Sequence, residues 1–244
     1  MRKSPREAFK VYKNVFDGFT IRILFKLISQ GHFEGLVGPI SIGKESNVFS
    51  AEQKDKTLVI TKIYRLESCD FNRMYEYIRT DPRFMHIKRQ RRKVIFAWAQ
   101  REYRNLLIAR EADIRVPLPI TVMQNVLVLE FIGNQETGDA APKLKDAYPD
   151  DPKAFMAILL EYVRRLYAVG YTHGDLSEYN ILNSCESPVI IDVSGMCPKQ
   201  DPMFEEYFTR DIKNLCRVAG KLGVKLREDA AKKFIEGKRK RKLF

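Results

Sequence analysis

The sequence predicts an α+β protein of two lobes: a strand-rich N-terminal lobe, preceded by additional helix, and a helical C-terminal lobe. Three observations lead there. "TLVITKIYR" (57–65) and "VLVLEFI" (126–132) are short β-branched or continuously apolar runs bounded by turn residues, the pattern of strands that pack on a core. Residues 8–30, 93–112 and the stretch from Pro152 toward Gly170 instead read as helices, with apolar residues at helical spacing such as Phe155, Leu159, Val163 and Leu166. The strand signal then fades near residue 133, after which helices alternate with polar loops.

In chain order, the expected organisation is an N-terminal helical region (1–36), a sheet lobe with one long helix (37–132), a helical lobe with two polar loops (133–237) and a basic tail (238–244). Phe16, Phe19, Ile23, Leu24, Leu27 and Ile28 would line one face of the first helix. Gly38, Pro39 and Gly43 interrupt that pattern and suggest a loop leading into the sheet. Residues 66–92 are polar and arginine-rich, and are expected to form a partly flexible insertion. A turn at Asn125 separates two strands within 115–133. Pro152 suits a first helical turn with Asp150 or Asp151 as its cap, and Gly170 suits its end. "PVIIDVSG" (188–195) reads as a strand ending on an acid, and 204–234 as a final helical region.

Composition narrows the functional classes. At 244 residues with 45 % hydrophobic and 30 % charged side chains, the chain is ordinary for a protein with its own core. Four cysteines without paired spacing argue against a disulfide framework or a zinc site. No apolar run reaches bilayer length and "MRKSPREAFK" lacks a secretory signal, so a cytoplasmic protein without a membrane partner is expected. The net charge is +12, and two runs hold most of it: Lys88, Arg89, Arg91, Arg92, Lys93 and the 238–242 segment. Without those ten positives only +2 remains. Runs of this kind favour nucleic-acid phosphates, while a plainer reading is a solvated helix face and a solvated tail.

Chemistry is suggested at four places. Lys62 lies mid-strand between Thr61 and Ile63, where a lysine needs a partner; Glu102 is the first candidate and Glu111 the second. "GPISIGKESNVF" (38–49) places Lys44, Glu45 and Ser46 in a glycine-flanked turn, although Glu45 departs from the Walker pattern. "HGDLSEYN" (173–180) separates Asp175 from Asn180 by four residues, the D-x-x-x-x-N spacing of phosphoryl-transfer loops. Asp192 closes "VIID" as a later acid. Asn180 and Asp192 offer hard oxygen ligands for magnesium, and Asp175 offers a base. His173 is expected to shape the loop.

These motifs, with "KIYR", "YIRTDPRF", "REYRNL", "VPLPI" and "IDVSG" in order, resemble the RIO kinases over roughly residues 15–220, in particular the Rio1 branch and its compact archaeal members. The resemblance implies a bilobal protein-kinase-like fold that binds ATP with Mg2+ or Mn2+. It implies that Lys62 positions the α and β phosphates with Glu102 as its ion-pair partner, that Lys44, Glu45 and Ser46 cover the phosphates, and that the backbone of Glu130 and Ile132 binds adenine. Asp175 would be catalytic, Asn180 and Asp192 would hold the metal, and Asp192 would transiently take a phosphoryl group in an ATPase cycle. Activity on serine or threonine, including autophosphorylation, is implied, with the small ribosomal subunit precursor, its rRNA and a protein substrate as partners. This chain departs from the pattern at Gly195, where the family usually has glutamine after "DVS". The competing readings are a small-molecule phosphotransferase of the aminoglycoside- or choline-kinase kind, which also carries H-G-D-x-x-x-x-N, and a non-enzymatic rRNA-binding scaffold.

Overall fold

The computed structural model describes residues 16–238. The described residues form two compact units. One comprises those up to Arg79 with Phe84–Tyr103 and Leu118–Ala140; the other comprises Thr80–Arg83, Arg104–Pro117 and those from Ala141 onward.

The first unit is built on a five-stranded antiparallel sheet of β1 (Gly35–Ile42), β2 (Ser46–Glu52), β3 (Leu58–Tyr64), β4 (Pro119–Met123) and β5 (Val126–Glu130), in the order β1-β2-β3-β5-β4. The segment expected to be a loop before the sheet is thus a hairpin. Its first strand tolerates Gly38 and Pro39 because it lies at the sheet edge and its register shifts twice beside them. Helix α1 (Gly18–Ser29) starts on Asp17, whose carboxylate accepts from the Phe19 and Thr20 amides at 2.9 and 3.0 Å. It contributes Leu24 and Leu27 to a core shared with Phe33, Phe49, Val59 and Val128. The expected turn at Asn125 is present, with Gln124 at φ 54°, and the Asn125 side chain is fully buried. Its amide nitrogen donates to Tyr64 O and Thr20 Oγ1, both at 2.9 Å, so one side chain ties α1 to the sheet.

Residues 66–92 contain a helix that the sequence reading does not place, α2 (Phe71–Thr80), which buries Met74, Tyr77 and Ile78. Helix α3 (Arg91–Glu111) begins inside the first basic run.

The second unit centres on α4 (Pro152–Ala168), with Asp151 as its cap and Gly170 beyond its end at φ 83°. Two short ribbons follow. In one, β6 (Tyr171–Thr172) pairs with β9 (Cys197–Pro198); in the other, β7 (Ile181–Ser184) pairs with β8 (Ser187–Ile190). The final helical region is two helices, α5 (Phe204–Lys221) and α6 (Glu228–Ile235). Tyr167 of α4 stacks on Phe208 of α5 at 4.6 Å between centroids. All four cysteines are free. Among the described residues no helix is long and apolar enough to cross a membrane.

Candidate active site

In the first unit, Lys62 is on the central strand β3, paired with Val48 on one side and Leu127 on the other. Its Nζ lies 2.8 Å from Glu102 Oε1 on α3, and the two side chains are 10 % and 1 % exposed. A buried ammonium requires such a partner, and the structure selects Glu102 over Glu111. Tyr64, two residues along the strand and so on the same face, donates its hydroxyl to Glu102 Oε2, and its ring lies 5.3 Å from the Lys62 ammonium. Tyr64 was missed in the sequence; an aromatic hydroxyl at i+2 from a strand lysine is the available signal.

Removing one member of such a buried pair typically costs about 3–5 kcal/mol. Lys62→Met should therefore lower the melting temperature and, on the role that the family resemblance implies for Lys62, weaken nucleotide binding as well. Adding Glu102→Leu removes the uncompensated carboxylate but also the acceptor of the Tyr64 hydroxyl, so it should restore part of the stability and none of the affinity. Thermal melting beside titration with a fluorescent nucleotide checks this, and joint recovery of both properties would refute it.

The turn carrying Lys44, Glu45 and Ser46 closes through Gly43 N–H donating to Ser46 O at 3.0 Å. It is fixed to the end of β3, where Arg65 N–H donates to Glu45 O at 2.9 Å and Ser68 Oγ to Lys44 O at 2.9 Å. The Lys44 side chain is exposed. At the end of β5, the Glu130 amide donates to Leu118 O at 2.9 Å and its carboxylate accepts from Leu118 N–H at 2.9 Å; Ile132 is buried.

In the second unit, two loops meet. Residues 173–180 leave β6 and enter β7, and residues 191–196 leave β8 and enter β9. Because β6 pairs with β9 and β7 with β8, the loops are joined at both ends. Between those ends Gly174 approaches Gly195 closely. A Cβ on Gly174 would stand 2.7 Å from Gly195 O, and its φ of 81° also excludes most side chains. A Cβ on Gly195 would stand 3.3 Å from His173 O, a tight contact, and 3.9 Å from Asp175 Cβ, an ordinary one.

This contact places Asp175 beside the Asp192 loop, with the Asp175 side chain exposed. Asn180 Nδ2 donates to Asp175 O at 2.9 Å, which directs its Oδ1 away from that bond. The Asn180 carbonyl accepts from Ile191 N–H at 2.9 Å, tying it to the residue before Asp192. Asp192 has left-handed backbone, φ 58° and ψ 65°, and its Oδ1 accepts from Ser194 Oγ at 2.7 Å. His173 is buried and its Nδ1 accepts from Asp175 N–H at 3.3 Å, consistent with a loop-shaping role.

The loop rests on a residue that the sequence reading missed. Asp211 of α5 is fully buried. Its Oδ2 accepts from Thr172 Oγ1 at 2.6 Å and Gly174 N–H at 2.7 Å, and its Oδ1 from Leu176 N–H at 3.1 Å. Arg210 donates to Gly174 O. The signal for Asp211 was an acid on the apolar face of its helix, in step with Phe204, Phe208 and Leu215.

Among the described residues no group of three His, Cys, Asp or Glu is arranged to hold a metal. Asn180 and Asp192 fit a different type of site, in which magnesium takes one carboxylate and one amide oxygen from protein and the remainder from phosphates and water. An open pocket of about 420 Å³ between Asp113 and the Ala157–Arg165 stretch contains none of these groups; there the Arg164 hydrogen bond holds the Glu161 carboxyl below its usual range.

A model of the RIO domain matches residues 47–232. The chain belongs to the RIO family. It is similar to "RIO-type serine/threonine-protein kinase Rio1" of two archaea. For Haloferax volcanii the identity is 38 % over 237 residues, covering 97 % of this chain and 81 % of the relative. For Methanocaldococcus jannaschii it is 39 % over 233 residues, covering 95 % and 79 %. The human serine/threonine-protein kinase RIO1 is 35 % identical, over 83 % of this chain and 36 % of that protein.

The fold resembles the crystal structure of a Rio2 kinase–ADP/Mg2+–phosphoaspartate complex from Chaetomium thermophilum, with a TM-score of 0.65 and 23 % identity, covering 86 % of this chain and 64 % of that one. A second Rio2 structure from the same organism gives 0.64, and this chain spans 66 % of it. The chain is thus a member of the Rio1-type serine/threonine kinase family, with the α+β kinase-like fold expected from its sequence.

The first basic run lies in this RIO chain around the start of α3. Lys88, Arg89, Arg91, Arg92 and Lys93 are all exposed. The Arg91 guanidinium donates to Leu66 O at 2.7 Å and Cys69 O at 3.1 Å, while that of Arg89 lies 5.4 Å from the Tyr75 ring. The second run falls outside the described residues except for Lys238.

Proposed function

We propose that this chain is a magnesium- and ATP-dependent phosphotransferase that acts on serine or threonine hydroxyls, its own included, or on water, in maturation of the small ribosomal subunit. The observation that carries the reading is the double tie within the second unit: Asn180 bonds both Asp175 and the residue preceding Asp192. A base and two oxygen ligands are thereby held on one backbone framework.

In this reading Lys62, held by Glu102, takes the α and β phosphates of ATP, Lys44, Glu45 and Ser46 cover them, and the backbone of Glu130 and Ile132 receives adenine. Asp175 accepts the proton of the attacking hydroxyl as its oxygen bonds to the γ-phosphorus and the bond to ADP breaks. Asn180 Oδ1 and the Asp192 carboxylate hold Mg2+, or Mn2+. Held there, the ion would supply charge neutralisation at the phosphate oxygens.

A finer version has Asp192 receive the phosphoryl group and water release it; the Rio2 complex described as carrying a phosphoaspartate supports including this step. The family assignment favours these activities over small-molecule phosphorylation or an inert scaffold. The test is ATP turnover with and without purified small-subunit precursors, combined with the chemistry of the labelled enzyme. A hydroxylamine-sensitive adduct lost in Asp192→Asn supports the aspartyl route. Hydroxylamine-resistant phosphoserine as the sole adduct refutes that route, and absence of turnover under every condition refutes the enzyme.

Precursor rRNA is the proposed partner of the two basic runs, in a cytoplasmic setting. Helix α3 starts with Arg91, Arg92 and Lys93 and has no acid in its first turn, so positive charge adds to the positive end of the helix dipole. A polyanion relieves that arrangement. Deleting residues 238–242 should weaken RNA binding and flatten its salt dependence while leaving ATP affinity within about twofold, since each lost phosphate contact reduces the salt slope by roughly one. Identical salt titrations before and after deletion would disprove the role of the tail.

A further inference from the structure

The segments "YIRTDPRF" and "REYRNL" contain three polar residues with no part in the chemistry above: Asp81, Arg83 and Asn105. Asp81 and Asn105 are fully buried. The Asp81 carboxylate grips Arg83 through Nε at 2.9 Å and Nη2 at 2.6 Å, and also accepts the Arg83 amide at 3.0 Å. Arg83 Nη2 donates in addition to Asn105 Oδ1 at 2.9 Å. Asn105 Nδ2 donates to the carbonyl oxygen of Val193 at 2.8 Å.

The direction of this chain of bonds is dictated by chemistry. A guanidinium only donates, so the Asn105 oxygen must face Arg83 and its NH2 must face the other way. What it meets is the carbonyl of the residue directly after Asp192. That carbonyl also accepts Met196 N–H at 3.1 Å and opens the short turn Val193–Gly195. Asp192 itself has backbone that a non-glycine residue holds only when its surroundings over-determine it. Ser194 restrains its carboxylate from one side, and Asn105 restrains the following peptide from the other.

We propose that Asp81, Arg83 and Asn105 form a positioning relay that fixes the backbone of the Asp192 loop and thereby sets the affinity of the site for its divalent ion. The proposal rests on the reading of Asp192 as a metal-holding residue. Asn105 is a positioning residue, since its contact is with the peptide that orients the ligand. Groups that orient metal ligands commonly change affinity by about 10–100-fold when removed. A leucine could fill the space but could not hold the Val193 carbonyl.

The experiment uses the full chain and two readouts independent of turnover. Mn2+ binding is measured by the electron paramagnetic resonance of the free ion, in the presence of a non-hydrolysable ATP analogue. Hydrogen exchange is followed in the peptide spanning 190–198. Asn105→Ala should weaken Mn2+ binding by about tenfold or more and speed exchange in that peptide, with metal-free nucleotide affinity within about twofold of wild type. Asn105→Asp, which still pairs with Arg83 but faces Val193 O with a second acceptor, should be at least as impaired as the alanine variant. If the Asn105 variants fail to fold, Arg83→Lys carries the test: it retains the charge opposite Asp81, loses the fork that reaches Asn105, and should show the same direction of change.

Mn2+ binding and exchange as in wild type would overturn the relay, provided Asp192→Asn binds the ion poorly. Wild-type Mn2+ binding by Asp192→Asn would instead remove the metal reading of Asp192, and the proposed role of the relay with it.

Discussion

Asp175→Asn is expected to reduce kcat for phosphoryl transfer by about 10²–10⁴-fold, the contribution of a positioned general base. Nucleotide affinity should change by less than about threefold, because the proposed contacts of Asp175 are with the attacking group. The melting temperature should be nearly unchanged, since the side chain is exposed and the bond that closes the loop uses the Asp175 backbone carbonyl. The substitution keeps the shape of the side chain and removes its charge, so it separates chemistry from folding. Turnover within threefold of wild type would remove Asp175 from the mechanism.

The second large effect should come from Asp211, which touches no proposed substrate group. Asp211→Ala leaves Thr172 Oγ1, Gly174 N–H and Leu176 N–H without the buried carboxylate they share. The expected loss of stability is about 3–5 kcal/mol, the range for breaking a buried charge network from one side. Asp211→Asn should lie between alanine and wild type in stability. Its single amide oxygen still serves Thr172 and Gly174, while its NH2 confronts the Leu176 amide, a donor against a donor. Turnover should fall with both variants even at temperatures where they remain folded, because the Gly174–Leu176 backbone presents Asp175. Denaturant unfolding with activity measured at low temperature checks both parts, and an Asp211→Ala protein as stable and active as wild type would exclude the support role.

These two residues also show which parts of the site were legible in the sequence. Asp175 and Asn180 are close in the chain, so a fixed spacing reveals them. Lys62 reveals itself because a lysine inside a β-branched run contradicts its surroundings. Asp211 and Asn105 belong to no chemical motif; for Asp211 the one local sign is an acid in step with Phe204, Phe208 and Leu215. Each is a polar residue on the buried face of a helix and becomes meaningful only when the loop it serves is folded against it.

The fold divides in the same way. Helix α4 was legible from Pro152 to Gly170 because its periodicity, cap and stop agree. Strand β1 was hidden, although a hairpin turn was the plainer reading of 38–49, because Gly38 and Pro39 depress strand propensity where the edge position and register shifts accommodate them. Helix α2 was hidden by its polar surface: only Met74, Tyr77 and Ile78 of its ten residues are buried, too few for a strong period in so arginine-rich a stretch.

The paired ribbons have a consequence for how this chain tolerates change in length. Each loop ends in a strand whose partner terminates the other loop, so neither can grow or shrink alone. One residue inserted between Gly174 and Asn180 would leave the Ile181–Ile190 register unchanged, since the Cys185–Glu186 turn sets it, and would have to be absorbed within the loop, breaking the Asn180–Asp175 bond that holds the two side chains together. Variation by insertion should therefore be purged from 171–198 and accepted at the outer loop near 134–139. The stretch from Tyr171 to Pro198 is, for the same reason, the minimal cassette to move as a single piece when grafting this chemistry onto another helical scaffold, accompanied by an acid placed to take over from Asp211.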